Sequence, residues 1–186
     1  MNCASTEQTA HENITHAQGV GAPYRAKLSP PHEDGEVIVI KGHVWSYDEK
    51  LPVPATMDVW QADSGGRYDN EAQGVSAVEQ VFINRASVKC DEDGYYEFET
   101  VRPGAYERRG VRHAAHIHIR VRHSGHVDCV TQILFSDDEY FAKDPYREYS
   151  AIVELKEVER NGKKYKEGVY DFVLALDRVA PESDAA

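Results

Sequence analysis

The chain has 186 residues, 21 Lys and Arg against 32 Asp and Glu, and a formal net charge of −11. That length fits one domain with tails, and so acidic a chain excludes nucleic acid, which needs clustered Lys and Arg, as a natural partner. No apolar run approaches the ~18–20 residues of a membrane span, and an anionic membrane surface is an equally poor partner.

Residues 1–22 are polar and aperiodic and read as a flexible arm. They lack the charged and apolar regions of a secretory leader, so a cytoplasmic protein is expected unless a leader was removed. Cys3, Cys90 and Cys129 form no disulfide framework, and a reducing compartment is the simpler setting. Residues 23–36, with prolines at 30 and 31, form an extended lead-in. From 37 onward, short β-type runs alternate with turns. The runs are VIVIKGHVW (37–45), ATMDVWQAD (55–63), a short run at 83–89, and YYEFETV (95–101). AAHIHIRVR (114–122), VDCVTQILF (127–135), AIVELKEV (151–158) and GVYDFVLAL (168–176) follow. Asp91–Gly94 and Asn161-Gly162 are hairpin signals. The charged and aromatic stretch 137–149 is irregular or a single helical turn. About eight strands at this spacing predict an all-β antiparallel sandwich over 23–178, with long loops and a solvated tail at 179–186.

His116-Ile117-His118 carries the strongest chemical signal. Strand side chains alternate faces, so Ala115, Ile117, Ile119 and Val121 share an apolar face, while His116, His118, Arg120 and Arg122 share the other. Imidazoles at i and i+2 have Cβ atoms roughly 6.5–7 Å apart, close enough for both rings to reach one ion. An isolated pair of this kind also describes two solvated strand histidines. Eleven tyrosines are present, and a phenol needs a hard, highly charged cation to deprotonate it at neutral pH. Spacing by itself does not select among the eleven.

Longer motifs do. Leu51-Pro52-Val53-Pro54 leads into Asp58-Val59-Trp60-Gln61-Ala62-Asp63 and then Gly66-Arg67-Tyr68-Asp69. Asp91 through Thr100 is followed by Arg102-Pro103-Gly104-Ala105-Tyr106. Ala115-His116-Ile117-His118 and Thr131-Gln132 with Phe135 complete the set. In order and spacing these blocks, over about residues 20–140, resemble the intradiol ring-cleavage dioxygenase family. The chain lacks room for the helical N-terminal region of the catechol-type enzymes, and it is more similar to the compact protocatechuate-type subunits.

The resemblance implies a mononuclear non-haem Fe(III) held by Tyr68, Tyr106, His116 and His118. It implies cleavage of a catechol-type ring between the two hydroxylated carbons with O2, giving a cis,cis-muconate-type diacid. Tyr106 would also accept a substrate proton, and Gln132 lies on the strand that backs the site. The sequence departs from the family three residues before the first iron histidine, where the usual arginine is replaced by His113. Arg112, Arg109 or His113 could fill its role, and a one-residue shift flips a strand side chain to the other face. Arg85, Arg108 and Arg109 are candidate contacts for a carboxylated ring, and loops 69–82, 107–113 and 137–149 are the candidate substrate sensors. The competing reading is a non-catalytic transthyretin-like or carbohydrate-binding sandwich. A homo-oligomer is possible.

Overall fold

The computed structural model describes residues 25–68, 84–160 and 162–178. The expected arm (1–22), loop (69–82) and tail (179–186) lie outside the described residues. Among the described residues the chain forms thirteen strands: β1 (Arg25–Lys27), β2 (Val37–Ser46), β3 (Thr56–Gln61), β4 (Arg85–Lys89), β5 (Tyr95–Val101), β6 (Tyr106–Arg108), β7 (Val111–His113), β8 (His116–Arg122), β9 (Cys129–Phe135), β10 (Ala151–Val153), β11 (Lys156–Arg160), β12 (Lys163–Val169) and β13 (Phe172–Leu174).

Two sheets face each other, as the alternation of apolar residues requires. One runs β1-β5-β2-β12-β11, with β13 also on β2; the other runs β10-β9-β8-β3-β4. Ile38, Ile40, Tyr96 and Phe98 of the first sheet meet Met57, Val59, Ile117, Ile119 and Ile133 of the second in one buried core. The small hairpin of β6 and β7 stands apart from both sheets.

The sandwich is all-β as expected, with more and shorter strands. Four pairings, β1 with β5, β10 with β9, and β12 and β13 with β2, are parallel. A parallel partner needs a long return connection, and stretch 136–150 supplies one between β9 and β10. That stretch holds two 3-10 turns, Phe141–Lys143 and Arg147–Tyr149. The run 151–158 is not one strand: β10 lies in one sheet and β11 in the other. The run at 168–176 is broken where Tyr170 donates its amide to the Lys41 carbonyl and Asp171 Oδ1 accepts the His43 amide (2.8 Å). Gly42 permits this break, because a Cβ there would collide with the Tyr170 carbonyl. Asp91–Gly94 does turn, with Asp91 Oδ1 accepting from the Tyr95 amide (2.8 Å), but it crosses between sheets and is not a hairpin. Residue 161 lies outside the described residues, and the strands on either side of it, β11 and β12, pair antiparallel.

Cys90 is a buried free thiol, whereas Cys129 is disulfide-bonded.

Candidate metal centre

Strand β8 is central in its sheet, paired to β3 and β9. Its core face is set by Ile117, Ile119 and Val121, all fully buried, so His116 and His118 must emerge on the opposite face. His116 Nδ1 lies 2.8 Å from the Ala114 carbonyl. A carbonyl only accepts, so Nδ1 carries the proton and Nε2 presents a lone pair. That Nε2 lies 3.2 Å from His118 Nε2 and 3.3 Å from the Tyr106 hydroxyl. Burial holds the His116 pKa below the usual imidazole value, which keeps the lone pair available. The indole of Trp60, directly across the ladder from His118, stacks on its ring at 5.0 Å and 10°.

The two tyrosines arrive on loops packed backbone to backbone. Asp63 organises the first: its Oδ1 accepts from the amides of Gly65 and Arg67 (both 2.9 Å), and its carbonyl accepts from Gly66 and from Gly104 of the second loop. Gly66 has φ +79°, and a Cβ there would lie 2.5 Å from the Ala105 carbonyl oxygen. A Cβ on Gly104 would lie 2.5 Å from the Gly66 amide. Only glycines allow this approach, and it brings the rings of Tyr68 and Tyr106 to 5.6 Å, edge to face. The Tyr68 hydroxyl is shielded from solvent, and its ring is 6.5 Å from His118. Gln61 ties the same region to β5: its Nε2 donates to the Val101 carbonyl (2.7 Å), and its Oε1 accepts from the Thr100 hydroxyl (3.0 Å). Arg102 forms a bidentate pair with Asp137, 2.9 Å at each contact, and fastens the second tyrosine loop to stretch 136–150.

The position before the histidines is settled by strand alternation. Tyr106 pairs with His113, and Glu107 with Arg112. His113 is buried and lies between Tyr106 (ring centroids 5.3 Å apart) and Tyr146 (5.8 Å, 13°). Arg112 is exposed on the other face of β7, with its guanidinium 4.5 Å from the Tyr140 ring centre. Arg109 sits exposed in the β6–β7 turn at φ 52°. Gln132 lies opposite His118 on the same face, and its Nε2 is buried without a hydrogen-bond partner. Asp63, Trp60 and Asp144 carry supporting roles that spacing did not reveal. The first two stood inside recognisable motifs, whereas Asp144 gave no signal.

Among the described residues no group of three or more His, Cys, Asp or Glu is placed to hold a metal. An ion bound here must therefore draw on phenol oxygens as well as the two imidazoles. His118 Nε2 and Tyr106 Oη stand 3.2 Å and 3.3 Å from His116 Nε2, long for hydrogen bonds and of the order expected between neighbouring donors on one ion with bonds of about 2.1 Å. Two phenols and two neutral imidazoles suit a hard trivalent cation.

Residues 21–176 match the Dioxygenase_C family, described as Dioxygenase. The chain belongs to the intradiol ring-cleavage dioxygenase family. This family member is 34% identical over 72 residues to the beta chain of protocatechuate 3,4-dioxygenase from Burkholderia cepacia, covering 38% of this chain and 31% of that protein. It is 36% identical over 73 residues to catechol 1,2-dioxygenase 1 of Acinetobacter lwoffii, covering 39% and 23%. The matches therefore span less than a third of these curated relatives. In three dimensions the chain resembles 3-chlorocatechol 1,2-dioxygenase from Rhodococcus opacus, with a TM-score of 0.75 at 20% identity over 94% of this chain and 73% of that one. It also resembles the dioxygenase domain of a carbohydrate-binding protein fusion from Streptomyces sp. SirexAA-E, with a TM-score of 0.68 at 22% identity over 92% and 98%. At these identities the structural likeness concerns the fold.

Proposed function

We propose that this chain binds one non-haem Fe(III) through Tyr68, Tyr106, His116 and His118. With it the chain cleaves a catechol-type ring between the hydroxylated carbons, using O2 and yielding a cis,cis-muconate-type diacid. The observation that carries this reading is the approach of His118 Nε2 (3.2 Å) and Tyr106 Oη (3.3 Å) to His116 Nε2. Bound iron would supply Lewis acidity, a template for the two substrate oxygens and a route for electrons toward O2.

The chain's own residues do the rest. His116 is held in one tautomer by the Ala114 carbonyl, and Trp60 fixes the plane of His118. Tyr106 Oη is the atom that accepts a proton from an incoming hydroxyl. Gln132 Nε2, a buried donor beside His118, is available to a substrate oxygen. His113, stacked on Tyr146 and packed against Tyr106, occupies the place expected of a cation and presents an imidazole to the ring of the substrate.

The test is the absorption spectrum of purified protein with and without added catechol. Expected is a visible phenolate-to-iron band that moves to the red with substrate. Protein that stays colourless after gentle ferric reconstitution refutes the reading and favours a non-catalytic sandwich. No helix among the described residues is long and apolar enough to cross a membrane.

A further inference from the structure

We propose that Asp144 is a positioning residue for the metal centre, acting on His116 through the peptide of Ala114; this rests on His116 being a ligand. The Asp144 side chain is fully removed from solvent. Its Oδ2 accepts from the Ala114 amide at 2.8 Å and its Oδ1 from the Tyr146 amide at 2.8 Å. The carbonyl of that same Ala114 accepts from His116 Nδ1 at 2.8 Å. One carboxylate thus grips the residue whose other end fixes the imidazole, so a shift in Asp144 moves the acceptor that sets both the tautomer and the plane of the ring. The backbone here lies between strands β7 and β8, where no ladder partner holds Ala114, so the carboxylate stands in for a sheet hydrogen bond.

Two further contacts give the arrangement direction. Asp144 Oδ2 lies 3.9 Å from His113 Nδ1, and that nitrogen is buried without a hydrogen-bond partner. Asp144 also orders Tyr146, whose ring stacks on His113. The carboxylate therefore sets both residues that flank the 114–115 peptide on the site face. The negative charge of the buried carboxylate also favours a cation at His116 Nε2. Outer partners of this kind contribute roughly 10–100-fold to metal affinity in other sites.

Asp144→Asn tests the inference, because the Ala114 and Tyr146 amides donate to different carboxylate oxygens and the amide nitrogen that replaces one of them cannot accept. Ser150→Ala is the matched control. It removes the 2.7 Å bond from Ser150 Oγ to the Tyr146 carbonyl and loosens the same segment without touching 113–116. Ferric affinity is read by chelator competition, alongside the position of the visible band and the melting temperature. Expected for Asp144→Asn is an affinity loss of about tenfold with a displaced band, while Ser150→Ala lowers melting temperature and keeps affinity within about twofold. If Asp144→Asn does not fold, Asp144→Glu, which keeps the charge but moves the oxygens by one methylene, is expected to show a loss of the same sign. Wild-type affinity and band position in the folded Asp144 variant overturn the inference alone, as does equal loss in Ser150→Ala. A wild-type chain that refuses ferric iron overturns the ligand assignment and this inference with it.

Discussion

His113 and Arg112 are neighbours with opposite fates. β7 turns the imidazole inward against Tyr106 and the guanidinium outward over Tyr140. Arg112→Ala is expected to leave kcat/KM for a catechol within about twofold. His113→Ala should lower it by at least tenfold, the size of effect a single polar contact in a transition state supplies. Steady-state kinetics on the two variants checks this, and the reverse ranking would return the role to the arginine. Cys90 gives a second prediction. Burial pushes its thiol up to about 12 from an ordinary 9, so the neutral form is favoured in the fold. Any stability this contributes is complete below pH 9 and is lost as pH rises from 9 toward 12. Folded protein should accordingly resist alkylation at Cys90 at pH 8, and denaturant should expose it; rapid labelling of the folded chain would contradict this.

The elements that hold the tyrosines depend on glycine. Gly66→Ala puts a Cβ against the Ala105 carbonyl at a positive φ, a strain of about 1–3 kcal/mol. Because the strain falls where the two loops touch, ferric affinity should drop more than global stability does. Parallel iron titration and thermal melts separate the two effects, and equal losses would show that the loops do not act together. At this scale the sequence was only partly legible. The strands β2, β5, β8 and β9 follow directly from alternation of apolar residues. β6 and β7 did not, since Tyr106–Arg108 and Val111–His113 lack an apolar face and exist by pairing to each other. The splitting of 151–158 and 168–176 was equally invisible, because the choice of sheet depends on partners far away in the chain.

The whole molecule is a sandwich whose two sheets share one core, and it should lose its fold in a single step. Phe98 is fully buried at its centre. Phe98→Ala should cost about 3–5 kcal/mol, read as a lower denaturant midpoint with both sheets melting together. Loss of one sheet before the other would divide the core.

The sequence by itself determined the all-β class, through period-two alternation. It also marked His116 and His118 as partners on one face, because side-chain direction in a strand is a local property. Through motifs it pointed to Tyr68 and Tyr106 as well. Tertiary structure alone decided that Arg112 turns away, that two glycine loops touch to bring the phenols together, and that Asp144 reaches back across thirty residues to Ala114. Those are contacts between distant segments, and their energies depend on how the sheets stack rather than on any neighbour in the chain.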